Sequence, residues 1–234
     1  IIEWSIIKNR INYSYLINKS ENIKIIDIKT NPIETNHNFL VSSNEHKVYI
    51  WNTDTKFCSF VVEDSYGVNY EPSGTLFASL RLDTVYNVNF FSLEKDNISK
   101  NQIATLNVEN NGTIINFVFT KKIVYLITLT DSGIVNTYFI LQKKKVMTIK
   151  MINIVEEISL IEKESSEGNM RYGIFYIDPF SLSLTGIDPL SGDVLTVAKN
   201  NNNMSNSSKV NKMISSVDRK FCLFFNGNSI IKYN

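Results

Sequence analysis

Histidine is nearly missing from this chain, which holds only His37 and His46 in 234 residues. Metal-dependent hydrolases and many redox centres bring His and carboxylates together at one point. No third ligand falls at metal-binding spacing from either His, so both are expected on the surface, in turns flanking one strand. A Gly-rich phosphate loop, a G-x-S-x-G elbow and a C-x-x-C pair are also absent. The chain is therefore expected to be non-catalytic, with no catalytic residue, cofactor or metal. Glu63-Asp64 and Glu156-Glu157 fall at strand ends and are expected to be solvated turn charges.

Cysteine is nearly as scarce. Cys58 and Cys222 each sit in an apolar run, so they are expected as buried free thiols, which suits a reducing, intracellular compartment. Charge of one sign is missing too: 24 basic and 23 acidic residues leave a net +1, with no global attraction to nucleic acid or anionic lipid. No apolar run approaches the ~18 residues of a membrane span, and no signal-peptide pattern is visible. No membrane insertion is expected. Ile1 rather than Met at the start is expected to mark a piece of a longer chain.

Helix-type spacing is scarce as well. What is present is a series of short runs of β-branched and aromatic residues, separated by Asn, Asp, Ser and Gly, the pattern of strands and turns. One of them, Lys47-Val48-Tyr49-Ile50-Trp51-Asn52, ends in Trp and a small polar residue. A turn and a new strand near Cys58 follow. The same shape recurs at Ile1-Ile2-Glu3-Trp4-Ser5. Looser copies end at Phe91-Ser92, Phe139-Ile140, Ile187-Asp188 and Tyr233-Asn234, at intervals of 40 to 48 residues. A second apolar strand precedes each full copy, at Phe39–Ser43, Leu76–Leu80, Val124–Thr128, Gly173–Ile177 and Phe221–Phe225. Two features sharing one period mark a structural repeat.

The repeat resembles the WD40 blade, in which the third of four strands ends in a Trp-Asp dipeptide. The resemblance implies an all-β, WD40-like β-propeller over residues 1–234, with Trp4, Trp51, Phe91 and Phe139 buried between blades. About five blade-lengths are present, read as part of a larger propeller of about seven blades; a five-bladed ring with a swapped strand seam is the alternative. The blades depart from the family pattern. The Gly-His pair is missing and the Asp of the dipeptide survives only at Asp188, so the buried His–Asp network of WD40 blades is not expected. Residues 200–208, Asn- and Ser-rich, are expected to be a flexible loop. Glu162 to Asn169 is expected to be a charged hairpin between the first two strands of its blade, and Glu94 to Asn101 a lengthened turn between third and fourth strands.

Lys143-Lys144-Lys145, with Lys150 behind, is the basic run of the chain. It falls on a turn between third and fourth strands, where it either solubilises the hairpin and protects a strand edge or contacts a partner or RNA phosphate. Lys121-Lys122 lie on a different turn. Phe90-Phe91, Tyr125 and Phe175-Tyr176 occupy strand positions and are expected in the core. Asn44-Glu45-His46-Lys47-Val48-Tyr49-Ile50-Trp51 and Leu129-Thr130-Asp131-Ser132-Gly133-Ile134-Val135-Asn136-Thr137-Tyr138 are similar to blades in propeller subunits of the U3 small-subunit processome, especially the fungal-type transcription-coupled nucleolar subcomplex. That resemblance implies a nucleolar or nuclear scaffold for pre-ribosomal RNA processing, held by contacts to other proteins of a multi-subunit complex and some RNA. A membrane-coat, cytoskeletal or chromatin scaffold, which would include a cytoplasmic one, is the alternative, and a propeller enzyme a more distant one.

Overall fold

In the computed structural model, the structure describes residues 2–5, 10–14, 23–33, 38–71, 73–82, 86–94, 97–109, 111–121, 124–180, 183–198, 210–215, 222–226 and 229–233. It is all-β. The chain divides into two compact units, Ile1–Thr105 and Leu106–Asn234.

The first unit holds a pair of strands, β1 (Ile2–Ser5) and β2 (Arg10–Ser14). A four-stranded sheet follows, of β3 (Ile25–Thr30), β4 (Asn38–Ser43), β5 (Val48–Asn52) and β6 (Cys58–Val62). The next sheet has β7 (Ser65–Tyr70), β8 (Leu76–Leu82), β9 (Tyr86–Glu94) and β10 (Asn97–Val108), and the division into units falls within β10. The second unit repeats the form, with β11 (Ile114–Phe119), β12 (Tyr125–Thr130), β13 (Ile134–Phe139) and β14 (Lys144–Lys150) in one sheet. β15 (Ser159–Glu164), β16 (Met170–Ile177), β17 (Leu184–Ile187) and β18 (Val194–Ala198) form another. β19 (Val210–Ser215), β20 (Cys222–Asn226) and β21 (Ser229–Tyr233) form a three-stranded sheet. In every sheet the strands lie side by side in sequence order, a meander of hairpins, which needs only short connections.

The five second strands expected from the sequence are β4, β8, β12, β16 and β20, and each third strand ends within a few residues of its expected end. Second strands β4 and β12 are covered on both faces, and β12 reads as a nearly continuous apolar run, Leu126-Ile127-Thr128-Leu129. Outer strands alternate, as β14 does from Lys144 to Lys150. Neighbouring sheets in the first unit pack face to face: Leu40, Val48 and Ile50 of one meet Val68, Tyr70, Phe77 and Phe91 of the next. In the second unit Ile127, Leu129 and Val135 join Leu160, Ile174 and Ile187, with Met151, Val155 and Ile158 of the connecting segment between them.

Bulges recur at fixed places. In the first strand of four sheets the register shifts around Ile26, Tyr66, Ile115 and Asn211. Between third and fourth strands it shifts around Ser59, Val146 and Leu195. A bulged residue lacks a partner directly opposite, and among these residues apolar Ile26, Tyr66, Ile115, Val146 and Leu195 are exposed.

The bulges also align the repeat, and they correct one expectation. Trp51, Tyr138 and Ile187 each follow the shift, facing Phe39, Leu126 and Ile174 across the pair of strands. The aromatic residue at the Trp position of the β11–β14 sheet is therefore Tyr138, not Phe139. A one-residue slip sends a side chain to the opposite face: Tyr138 is buried, whereas Phe139 is half-buried against Tyr125. Trp51 and Phe91 are buried as expected, stacked on Phe39 and Phe77 at ring separations of 6.4 and 4.9 Å. The side chain of Trp4 lies outside the described residues.

The stretch Glu94 to Asn101 also differs from expectation. β9 runs to Glu94 and β10 begins at Asn97, so most of the added length extends the two strands instead of widening the turn. Residues 200–208 lie outside the described residues.

Candidate functional site

Of the basic run expected on the turn between third and fourth strands, Lys143 lies on that turn, whereas Lys144 and Lys145 open β14. Ile140 to Lys143 turn the chain from β13 into β14, and the Lys143 N–H donates to the Ile140 carbonyl at 3.1 Å. Lys143 takes a left-handed backbone (φ 50°), at the place filled by Lys56 (φ 64°) and Gly192 (φ 82°) in two other sheets. Lys143, Lys144 and Lys150 are exposed. Lys145 is different: its ammonium bonds the Glu109 carboxylate, which also accepts from Asn111 Nδ2 at 3.2 Å. That hydrogen bond from Lys145 holds the Glu109 carboxyl below its ordinary range. The Glu109 N–H in turn donates to the Tyr138 hydroxyl at 2.9 Å. One of the three lysines is thus committed inside the molecule, and two remain to meet a partner.

His46 is exposed in the β4–β5 turn with φ 58°, and its ring stacks on Tyr66 at 4.0 Å. His37 lies outside the described residues. Glu63 pairs with Lys47 at 3.5 Å and Asp64 with Arg81 at 3.7 Å, both at the surface, where such pairs are worth at most ~1 kcal/mol. Glu156 and Glu157 are exposed in the segment between β14 and β15. Among the described residues no three His, Cys, Asp or Glu side chains converge as a metal would need, and no helix is long and apolar enough to cross a membrane. Phe90, Phe91, Phe175 and Tyr176 are buried in the core, whereas Tyr125 is half-buried. Cys58 is half-buried, not fully buried, because it opens β6 just before the bulge at Ser59. Burial still pushes its thiol up, against the pull of the Phe60 carbonyl it donates to at 3.3 Å. The side chain of Cys222 lies outside the described residues.

Two features escape a reading of the sequence. The hairpin at Glu162 to Asn169 forms, but Glu162 is not one of its solvated charges. It lies in β15, is only 4% exposed, and accepts the Lys121 backbone N–H with both oxygens at 3.0 and 3.2 Å. It ties the β11–β12 turn of one sheet to the first strand of the next. Asn31 does the same in the first unit, donating from Nδ2 to the Gly74 carbonyl at 2.8 Å. Nothing local in Glu162-Lys163-Glu164-Ser165-Ser166-Glu167 marks Glu162 as special, since its donor is 41 residues away.

The second feature is a group of exposed apolar side chains on two segments of the second unit that the Asn153–Asp178 bond joins. Ile152 is 99% exposed, Ile154 61% and Phe180 82%. No protein-family model and no curated protein matches the sequence, so the functional reading rests on the chain itself.

Proposed function

We propose that the sheets are blades of a divergent WD40-like β-propeller, and that the chain is a non-catalytic scaffold of a large nucleolar assembly on pre-ribosomal RNA. What supports this reading is the recurrence of one local design in successive sheets. Bulges return in the first strand of four sheets and before the fourth strand of three. A left-handed residue returns after the third strand in those three, and a side-chain acceptor, Asn52 or Asp188, returns in two of them, as in a repeat whose units bury their faces against one another. Such a repeat spends its apolar residues on its own stacking and leaves the turns for partners.

Protein contacts dominate in this reading. The chain is near neutral, and binding dominated by phosphate needs an extended basic face. Lys145 is already bonded to Glu109, which leaves Lys143 and Lys144 for a minor RNA contact.

The test is a tagged pull-down from cells with proteins and RNA both identified. U3 RNA together with other propeller subunits is expected. Membrane-coat, cytoskeletal or chromatin proteins without U3 RNA would overturn the ribosomal reading in favour of another assembly. Loss of U3 RNA on changing Lys143 and Lys144 to Glu would make the hairpin the RNA contact; retention would leave the RNA to a partner.

A further inference from the structure

The segment from β14 to β15 divides its side chains between two environments. Met151, Val155 and Ile158 enter the core between the two sheets, while Ile152, Ile154, Glu156 and Glu157 face solvent. The backbone is not loosely attached. The Met151 N–H donates to the Gly133 carbonyl at 2.9 Å, and Asn153 Nδ2 reaches the Asp178 carboxylate at 2.5 Å in the β16–β17 turn. The other oxygen of Asp178 accepts the Phe180 N–H at 3.0 Å. Two isoleucines thus flank one end of the Asn153–Asp178 bond, and Phe180 stands at the other end.

Apolar side chains exposed singly are ordinary, whereas several brought together on an anchored backbone mark an interaction site. The surroundings select the partner. Glu156 and Glu157 continue the same segment, and Asp131 opens the β12–β13 turn that Gly133 closes against it. Lys150, exposed at the end of β14, is the cation that precedes them. An apolar centre with a mainly acidic rim has the anatomy of a protein interface. The rim repels RNA and anionic lipid. It also opposes a symmetric pairing with a second copy, which would bring two acidic rims together.

We propose that Ile152, Ile154 and Phe180 form a docking surface for a basic, amphipathic segment of another protein, whose apolar side insets between these residues while its Lys or Arg meet Glu156 and Glu157. The proposal deepens the scaffold reading and rests on it.

A labelled short peptide of leucine and lysine at helical spacing is the probe, titrated into the full chain by fluorescence anisotropy. Its leucine–glutamate counterpart and oligo-uridine RNA serve as comparisons. The basic peptide is expected to bind and the other two not. Ile152→Ser with Ile154→Ser, and separately Glu156→Lys with Glu157→Lys, should each weaken binding roughly tenfold or more. Leu141→Ser, at an equally exposed leucine in the β13–β14 turn, should leave it unchanged; circular dichroism and melting check that every variant folds. Equal binding of the acidic peptide or RNA, variants that bind as the parent does, or no binding up to about 1 mM overturns the proposal. So does sedimentation showing a dimer that Ile152→Ser dissolves. A pull-down in which these variants keep every partner removes the patch and leaves the scaffold; one that recovers no partner removes the scaffold itself.

Discussion

Asn52 and Asp188 do the same work in two different sheets. Each follows the last core residue of a third strand. The Asn52 side-chain oxygen accepts the N–H groups of Asp54 and Thr55, both at 2.9 Å, and that of Asp188 accepts those of Leu190 and Ser191 at 2.7 and 3.4 Å. Their carbonyls accept from Lys56 and Gly192, the two left-handed residues. The polar partner of the tryptophan in the repeat thus serves here to close the hairpin into the fourth strand, an Asx turn. Alanine at either position should cost about 1 kcal/mol, and Asp188→Asn much less, because the amide oxygen still accepts. Urea denaturation of the three variants measures this.

Gly192 is the exception among the left-handed positions. A Cβ there would stand 3.0 Å from Met147 Cε, while Lys56 and Lys143 carry side chains at the same place. Gly192→Ala should therefore destabilise by ~1–2 kcal/mol, through the backbone cost of a left-handed residue and the displaced methionine. Lys143→Gly should be neutral or slightly stabilising, because relief of that cost is offset by a more flexible unfolded chain. Thermal melting of the two variants separates the effects.

Glu162 gives a sharper test of how the sheets are tied. Glu162→Leu leaves the Lys121 N–H without this acceptor inside the protein, which costs ~1–3 kcal/mol. Glu162→Gln keeps an oxygen in place and should lose less than half as much. If both variants melt with the parent protein, the bond contributes nothing to stability.

The Glu109–Lys145 pair carries a pH dependence of known sign. The folded-state carboxyl is held below its unfolded value, so its contribution is present above the unfolded pKa and fades as pH falls through the lowered folded one. Both side chains are partly exposed, and solvent screening keeps the effect within ~1 kcal/mol. Lys145→Met should lower the melting temperature slightly at neutral pH, leave it nearly unchanged at acid pH, and so flatten the acid limb of the profile.

Cys58 should be a slow thiol. Burial holds it protonated at neutral pH, and the thiolate is the reactive form. Its rate with a maleimide, followed by peptide mass mapping, should lie below that of an unfolded control and rise only in alkali. A rate equal to the control would show that the start of β6 opens freely.

The repeat was legible because burying both faces of a sheet demands apolar runs at a fixed spacing, and that demand is written along the chain. The Phe91 and Trp51 positions followed from it. Tyr138 did not: with Tyr138 and Phe139 adjacent, composition cannot say which faces the core, and a bulge at Val146, one strand away, decides. The lysine run was equally visible, but not that Lys145 is held by Glu109, 36 residues earlier.

What the sequence alone determined is the sheet class and the period, which follow from local alternation, turn chemistry and their recurrence along the chain. The tertiary structure decided which charges are buried and which apolar residues are not. Glu162 became an internal acceptor and Ile152 a solvent-facing side chain only when sheets packed. Burial depends on what lies opposite, and the residues opposite are far away along the chain.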